Sequence, residues 1–341
     1  MWTDARNHCR GDGRRRGGAL LAVLWLAAAL SAIAFSVANT VRVETERTST
    51  AADGARAYYL ATGAFERAML YILWGPQHRN PDGSPRYFAN WMPRLAFQFP
   101  SGEAIVEVIP EAARLSLNRA VPEDLFRLLV ALGAEPERAQ EITQGILDWR
   151  MRAPADGFSP FDRHYLSLAP SFRARHASFE EVEEVLLVKG MTPELYHGGH
   201  ATDADGRLRL RPGFKDCVSV YGSTSRFDVN SAPAPLLAAL GLGPDVVARL
   251  VEMRRVAPFV SGDQLDSLRQ FGGPGAQRLG VGGRTMYTLR ATARLRLPDG
   301  RLSDLRRTVA ATVKIWGQAA NPPYQVLRWY EGTVGETAEW N

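Results

Sequence analysis

The residues best placed to do chemistry in this sequence are glycines at a sharp turn. Residues 240–244 read Leu-Gly-Leu-Gly-Pro and precede a helical pattern. The backbone N–H groups of such a turn and helix start could therefore point at a phosphate. A related turn at residues 132–136 reads Leu-Gly-Ala-Glu-Pro, which places Glu135 where the phosphate would bind. A glycine turn that packs two helices together explains both segments better than an anion site does.

Side-chain constellations for catalysis are missing from the sequence. It contains no Gly-x-Ser-x-Gly run, no His-Glu-x-x-His run and no glycine-rich phosphate loop. Its two cysteines are Cys9 and Cys217. Because Cys217 has no suggestive neighbours, we expect it to be a small buried apolar residue. The sequence therefore predicts a protein that is not an enzyme.

The longest apolar run indicates where the chain resides. Residues 18–38 carry no charge, and Ser31 and Ser36 are their only polar side chains. A helix of this length crosses about 30 Å of hydrocarbon. Three arginines at positions 14–16 precede the run. A positive flank stays in the cytoplasm, so the rest of the chain is expected on the other face of the membrane.

The order of charge, glycine and apolar run resembles the leader of type IV pilins and type II secretion pseudopilins. The resemblance implies that a prepilin peptidase cuts after Gly17, which removes residues 1–17 and leaves Gly18 at the N-terminus. Most pilin-like proteins carry glutamate at the fifth mature position, where this sequence has Ala22. In the family, that glutamate is thought to neutralise the N-terminal amine of a neighbouring subunit. Its absence is characteristic of the K-type minor pseudopilins.

Hydrophobic periodicity predicts the elements that follow the apolar run. Apolar spacings of three and four continue up to Trp74, and Gly75 and Pro76 then end the pattern, so one helix is predicted over 18–74. Neither of two blocks of predicted strands would cover this helix alone, and we expect them to form one sheet. The fold class is therefore α+β and pilin-like, with a long N-terminal helix, half transmembrane, packed on an antiparallel sheet. The predicted strands are residues 94–99, 104–109, 286–297, 305–316 and 324–330.

A large all-α insertion is predicted between the two blocks of strands. Residues 114–120 resemble residues 226–232, and after each come a helix, a Leu-Gly turn and a second helix. The unit is close to a helix-hairpin-helix or SAM-like repeat. The copies cover about 113–190 and 225–272, and the first carries a long loop at 151–176.

The sequence therefore predicts five segments and a nearly neutral mature chain. Residues 1–17 hold five of the arginines behind the formal charge of +5. What remains lacks the strongly basic character of nucleic-acid-binding domains, so nucleic acid is not an expected partner. The segments are the leader (1–17), the membrane span (18–38), the stem helix with the first strands (39–112), the helical insertion (113–280) and the C-terminal strands (281–341).

The resemblance also implies a calcium site. In the family, an acidic stretch after the first repeat, Asp-Trp-x-Asp followed by further acids, is associated with calcium. Here Asp148 and Trp149 are followed by Arg150, and the remaining nearby acids are Asp156 and Asp162. Calcium takes six to eight oxygen ligands, so backbone carbonyls and water would have to complete a site built on these three aspartates.

Residues 179–196 and 227–232 carry specific local matches, and the whole resemblance implies a K-type minor pseudopilin. Such a protein would span the bacterial inner membrane once, with its N-terminus cytoplasmic and its C-terminal domain periplasmic. Its implied partners are I- and J-type minor pseudopilins, prepilin peptidase and the inner-membrane assembly platform. The insertion would meet the outer-membrane secretin or a secreted substrate.

The implied role is to initiate the pseudopilus and cap its tip for export of folded proteins across the outer membrane. Two alternatives remain at this point. One is a membrane-anchored helix-hairpin-helix DNA-binding protein of a DNA-uptake machine, which would use the turn at residues 240–244. The other is an anchored periplasmic scaffold whose leader stays uncut.

Overall fold

A computed structural model describes residues 15–155, 157–202, 206, 208–283 and 285–331. The chain divides into two compact units, Met1–Ala57 and Tyr58–Asn341. In chain order, the helices are α1 (Arg15–Trp74), α2 (Pro122–Ala131), α3 (Pro136–Arg150), α4 (Pro160–Leu166), α5 (Pro193–His197), α6 (Phe214–Cys217), α7 (Ala234–Ala239), α8 (Pro244–Val256), α9 (Asp266–Phe271) and α10 (Gly273–Ala276). Short 3₁₀ helices lie at Glu111–Ala113, Val182–Leu187 and Asp263–Leu265.

Strands occur both before and after the insertion and between its helices. They are β1 (Arg94–Phe99), β2 (Gly102–Pro110), β3 (Leu115–Ser116), β4 (Gly198–Thr202), β5 (Leu208–Pro212), β6 (Val218–Ser219), β7 (Phe227–Asp228), β8 (Leu279–Gly280), β9 (Met286–Arg296), β10 (Leu302–Ile315) and β11 (Tyr324–Glu331).

One long helix opens the described chain, as the periodicity predicts. Helix α1 has no proline, and it ends where the Gly75 N–H donates a hydrogen bond to the Tyr71 carbonyl (2.8 Å), just before Pro76. Its residues from Tyr58 onward bury an apolar face whose members recur at spacings of three and four. These buried residues are Leu60, Ala61, Ala64, Phe65, Ala68, Met69 and Ile72.

A five-stranded antiparallel sheet covers this face in the order β1-β2-β9-β10-β11. Strands β2 and β9 lie side by side, with Val106 opposite Ala291, so the two distant blocks of strands form one sheet as predicted. Alternate residues of β2 are buried, which gives the sheet one apolar face. The Phe65 ring of α1 meets the Trp329 ring of β11 edge to face, with 5.1 Å between ring centroids.

The insertion between β2 and β9 is helical, as predicted, and adds three two-stranded sheets that the pattern did not indicate. Strands β3 and β6 pair in parallel, as do β7 and β8, and β4 with β5 forms an antiparallel hairpin. Two-residue strands are too short to show a period of two. Their partners also lie far away in sequence, as Leu115 and Val218 do.

One continuous hydrophobic core runs through both repeats of the insertion. A charged pair joins them: the Arg278 guanidinium donates to both carboxylate oxygens of Asp124 on α2, at 2.9 and 2.7 Å. The same guanidinium donates to the Thr224 carbonyl at 2.8 Å. A bidentate pair with a further acceptor fixes one geometry, so the two repeats form a single packed body.

The buried side chain of Glu111 connects the sheet to the insertion. Its carboxylate accepts hydrogen bonds from Thr288 Oγ1 on β9 (2.5 Å) and from Ser219 Oγ on β6. The Thr288 hydroxyl also contacts the Thr312 hydroxyl on β10 at 2.8 Å. An unpaired carboxylate in this position would be costly, so these hydroxyls fix where the insertion leaves the sheet.

Candidate functional site

The first candidate surface is the N-terminal part of α1. One helix of the described chain, Gly18–Trp74, is long and apolar enough to cross a membrane, and its most apolar window is not buried. Trp25 and Phe35 are 73% and 77% exposed. An exposed apolar surface of this extent is typical of a membrane span or an interface between subunits.

The predicted processing site lies at the start of this helix. Because α1 begins at Arg15, Gly17 and Gly18 belong to its first turn. A Cβ atom placed on Gly18 would meet no atom within 4 Å. Ala22, one turn further on, is exposed and contributes a methyl group where most pilin-like proteins carry a carboxylate. Cleavage after Gly17 stays a prediction.

Matching hydrogen bonds show that the two repeats have the same internal frame. In the first repeat, the Asn118 amide donates to the Phe179 carbonyl at 2.9 Å and accepts from the Phe179 N–H at 2.7 Å. In the second repeat, Asn230 makes the same pair of bonds with Phe259, at 2.9 and 2.8 Å. The internal repeat predicted from the sequence is therefore a structural repeat.

In each repeat, a buried arginine donates further hydrogen bonds to the same loop. Arg150, the last residue of α3, donates to the carbonyls of Leu117 (2.8 Å) and Ala120 (2.6 Å). Burial lowers the pKa of this guanidinium group and of its counterpart, Arg254. From the sequence, Arg150 was noted only as the residue that follows Asp148 and Trp149. Its position after Asp148-Trp149, like that of Arg254 at the end of the second hairpin, was the available signal.

Arg254 shows the same chemistry in the second repeat. Its Nη1 atom donates to the carbonyls of Val229 (2.9 Å) and Ala232 (2.7 Å). The forked guanidinium suits two carbonyls that end a loop, because it offers several fixed donors. Both arginines therefore hold the loop that precedes each helical hairpin.

The glycine turns of the hairpins are structural. Gly133 (φ +92°) and Gly241 (φ +94°) occupy the left-handed region that glycine enters without strain. At the first turn, the Arg211 guanidinium donates to the Leu132 carbonyl, and Glu135 occupies the N-cap position of α3 without a side-chain capping bond. A turn with a carboxylate beside its helix start does not attract phosphate. The DNA-binding alternative is not supported.

The described aspartates of the predicted calcium site belong to a hydrogen-bonded cluster around Ser159. The Ser159 hydroxyl donates to Asp148 (2.9 Å) and accepts from the Asp162 N–H (3.1 Å) at the start of α4. The Asp162 carboxylate accepts from the N–H groups of Ser159 (3.0 Å) and Ala174 (3.1 Å). Burial raises the pKa of Asp148, and Asp156 lies outside the described residues.

His176 completes this cluster. Its Nε2 atom lies 2.7 Å from Asp162 Oδ2 and its Nδ1 atom 3.2 Å from the Met151 carbonyl, and only a doubly protonated ring donates to both acceptors. Burial alone would lower the pKa of His176, but the Asp162 and Asp148 carboxylates outweigh it and raise that pKa. Burial would raise the pKa of Asp162, but its three donors outweigh burial and lower it.

This arrangement does not fit a calcium site as it stands. Both Asp162 oxygens accept from N–H donors, and the side chain is fully buried. Calcium needs carboxylate oxygens directed at one centre, and a protonated histidine beside them would repel it. No group of three metal-ligating side chains occurs among the residues that the structure describes. Calcium at Asp148, Asp156 and Asp162 stays a prediction.

The thiol of Cys217 is buried, as predicted. It is fully inaccessible within the core of the insertion. Burial raises the pKa of this thiol to about 12, so the reactive thiolate is scarce at neutral pH.

Fold and surfaces together define a class: a pilin-like subunit with one apolar anchor helix, a covering antiparallel sheet and a helical insertion. Family models described as type II secretion system (T2SS), protein K, match residues 111–198 and 227–282. The chain belongs to the type II secretion system protein K family and is a minor pseudopilin of that system. The family is a structural component of the secretion machinery.

Relatives of the same description cover much of the chain. The type II secretion system protein K of Pectobacterium carotovorum is 27% identical over 284 residues, which is 76% of this chain and 80% of the relative. The protein of that description in Pseudomonas aeruginosa is 30% identical over 174 residues, or 48% of this chain and 47% of the relative.

A solved structure has the same fold. The crystal structure of the GspK-GspI-GspJ complex from enterotoxigenic Escherichia coli contains a chain that matches with a TM-score of 0.55 and 18% identity. The match covers 85% of this chain and 100% of that chain. The pilin-like fold with its helical insertion, as the sequence predicts it, is therefore confirmed.

Proposed function

We propose that this chain caps the tip of the pseudopilus and initiates its assembly. One observation carries the proposal: an uncharged, exposed anchor helix in which Ala22 replaces the glutamate of most pilin-like proteins. An unpaired amine or carboxylate is expensive within a membrane. A subunit without that carboxylate cannot neutralise the amine of a subunit above it, so the top of the fibre suits it best.

The anchor helix also sets the proposed orientation. The arginines at 14–16 keep the N-terminus in the cytoplasm, and residues after 38 enter the periplasm. Prepilin peptidase then cuts between Gly17 and Gly18, and the inner-membrane assembly platform receives the mature subunit.

The proposed partners in the bilayer are I- and J-type minor pseudopilins. Support comes from the matched fold, since the similar solved chain was crystallised in a GspK-GspI-GspJ complex. The exposed apolar face of residues 18–38 offers the packing surface. The helical insertion projects from the sheet through Glu111 and contacts the secretin or a secreted substrate. The chain acts by assembly and performs no catalysis.

Gold labelling of sheared pseudopili tests the tip position. An epitope tag after residue 341 is detected on fibres assembled by the complete secretion system. We expect one label at one end of each fibre, because no subunit packs above this one. Labels distributed along the fibre length contradict the proposal. A tagged major pseudopilin, labelled along the whole fibre, is the control.

Calcium binding at the 148–162 loop is a second, separate proposal drawn from the family resemblance. Because Asp162 is engaged by His176 and two N–H groups, Asp148 and Asp156 would have to supply the carboxylate oxygens. Titration calorimetry with calcium chloride on the wild type and Asp148→Asn tests it. Binding that disappears in the variant supports calcium, and no binding to the wild type contradicts it.

A further inference from the structure

The two repeats differ in how one face of their second helix, α3 or α8, is covered. Arg150 and Arg254 occupy equivalent positions, since each donates to two carbonyls of its own loop. Counting back along α3 and α8 then makes Met253 the counterpart of Trp149 and Arg249 the counterpart of Gly145. The same helix face can therefore be compared in both repeats.

In the first repeat this face is covered by α4 and the segment after it. Trp149 is buried, with its ring centroid 6.0 Å from that of Tyr165 on α4 and 6.4 Å from that of Phe172. A Cβ atom on Gly145 would lie 2.6 Å from Val188 Cγ1 and 3.4 Å from the Phe161 ring of α4. The absence of a side chain at position 145 therefore makes room for Val188, and Phe161 of α4 lies at contact distance from the same position.

Between α8 and Phe259, the second repeat has no counterpart of α4 or of the segment that follows α4. Only Ala257 and Pro258 separate α8 from Phe259, whereas residues 151–178 separate α3 from Phe179. Met253 is 44% exposed and Val256 is 80% exposed. With Pro258, Phe259 and Gln264 these residues line an open groove of about 570 Å³. Met253, whose counterpart Trp149 is buried in the first repeat, is therefore left in solvent together with Val256.

We propose that this groove on α8 is a docking site for a short helix of a partner protein. The helix would cover Met253 and Val256 with an aromatic side chain, as Tyr165 and Phe172 cover Trp149. Helices that bind grooves by apolar anchors are a common mode of recognition, and aromatic anchors dominate such interfaces. The inference goes beyond tip capping and does not depend on which subunits share the membrane.

The charged side chains at the groove indicate which residues the partner helix carries. Arg249 stands at the groove where the first repeat has Gly145, and among the described residues it has no ion-pair partner. The nearby Glu252 is paired with Arg255 (3.6 Å). A partner helix therefore carries a carboxylate opposite Arg249, at the place that Phe161 holds on α4. An aromatic residue one turn later then reaches Met253.

A peptide copied from α4 tests the proposal. The probe is a fluorescent peptide of residues 157–168 in which Phe161 is replaced by glutamate (F161E), added to the full chain in nanodiscs. Fluorescence anisotropy is expected to show saturable binding. We expect Met253→Glu and Val256→Glu to weaken it at least tenfold, and Arg249→Glu to weaken it severalfold.

A control variant and folding measurements test whether the loss of binding is specific to the groove. Leu208→Glu, at a 73% exposed position on β5, should leave binding unchanged. Since all of these positions are exposed, circular dichroism and the melting temperature should stay at wild-type values. The absence of saturable binding, or equal binding by the wild type and Met253→Glu, overturns the proposal.

Discussion

Four carbonyl groups depend on two arginines in the helical insertion. Arg150 donates hydrogen bonds to the carbonyls of Leu117 and Ala120, and Arg254 donates to two carbonyls of the second repeat. A buried carbonyl without a donor costs as much as a lost hydrogen bond, and a charged donor contributes more than a neutral one. These guanidinium groups are therefore structural, although one of them follows the predicted metal ligand Asp148 closely in sequence.

Replacing either arginine should destabilise the insertion. Arg150→Ala and Arg254→Ala are each expected to lower the free energy of unfolding by about 2–4 kcal/mol, because each leaves two carbonyls unpaired. Chemical denaturation in detergent measures the change. Arg255→Ala, at a side chain that is 76% exposed, is the control and should change stability by less than about 0.5 kcal/mol. A loss at position 150 or 254 no larger than this control would refute the role.

His176 should make stability depend on pH. The pKa of His176 is raised in the folded chain, so its contribution is complete below the unfolded value of about 6.5 and is lost as the pH rises through the folded value. Thermal unfolding in EDTA, scanned from pH 5.5 to 9, should show the melting temperature falling with pH. In His176→Gln this fall should flatten, and identical profiles for the two chains would contradict the assignment.

Asp162 should also make stability depend on pH, but its contribution is lost at low pH. Its pKa is lowered, so its contribution is present above the unfolded value of about 3.9 and is lost as the pH falls through the folded one. The cluster is thus most stable between the two titrations, where the carboxylate and the imidazolium are both charged.

At the scale of elements, each helical hairpin depends on one left-handed glycine. Gly241 has φ +94°, and a Cβ atom there would meet only the Arg127 guanidinium, at 3.7 Å. Space is therefore available, and the penalty for a side chain comes from the backbone alone. Gly243, two residues later, has φ −64° and open space.

This pair of glycines gives a matched test. Gly241→Ala should lower the free energy of unfolding by about 1–2 kcal/mol, because a left-handed conformation strains any residue with a Cβ. Gly243→Ala should cost less than Gly241→Ala, because position 243 has an ordinary φ and open space and loses only a favourable N-cap residue of α8. Equal melting temperatures for the two variants would show that the turn does not require its left-handed residue.

Elements were predictable from the sequence in proportion to their length and periodicity. Helix α1 and strand β9 carry long patterns and were found to within three residues and one residue, respectively, whereas β10 begins three residues before its predicted start. Strands β3 and β6 were missed, since two residues show no period and their partners are set by the tertiary fold. The repeat was visible as a sequence match. What the match could not reveal is that Arg150 and Arg254 face carbonyls, because those acceptors carry no side-chain signal.

The candidate sites likewise differ in how far they could be predicted from the sequence. The anchor at residues 18–38 follows directly from composition, and the glycine turns were interpreted correctly as structural. The partners of Asp162 were not foreseeable, since His176 and Ala174 reach it only after the 151–176 loop folds back. The groove on α8 was also invisible, because it is defined by what the second repeat lacks relative to the first.

At the scale of the whole molecule, membrane attachment and folding should be separable. The residues from Tyr58 onward form a compact unit with its own core. A chain lacking residues 1–38 is therefore expected to fold and to remain in the aqueous fraction after ultracentrifugation, whereas the full chain sediments with membranes. Matching far-ultraviolet circular dichroism, apart from the lost helix, provides the control. A truncated chain that still sediments would contradict the assignment of the anchor.

The measurement that decides most is the intact mass of the membrane-extracted chain after co-expression with a prepilin peptidase. The wild type should lose residues 1–17 and begin at Gly18, and Gly17→Ala should keep its leader. Such a result would establish processing as a pseudopilin, which assembly at the fibre tip requires. An uncut wild-type chain would contradict this role and leave a permanently anchored periplasmic scaffold.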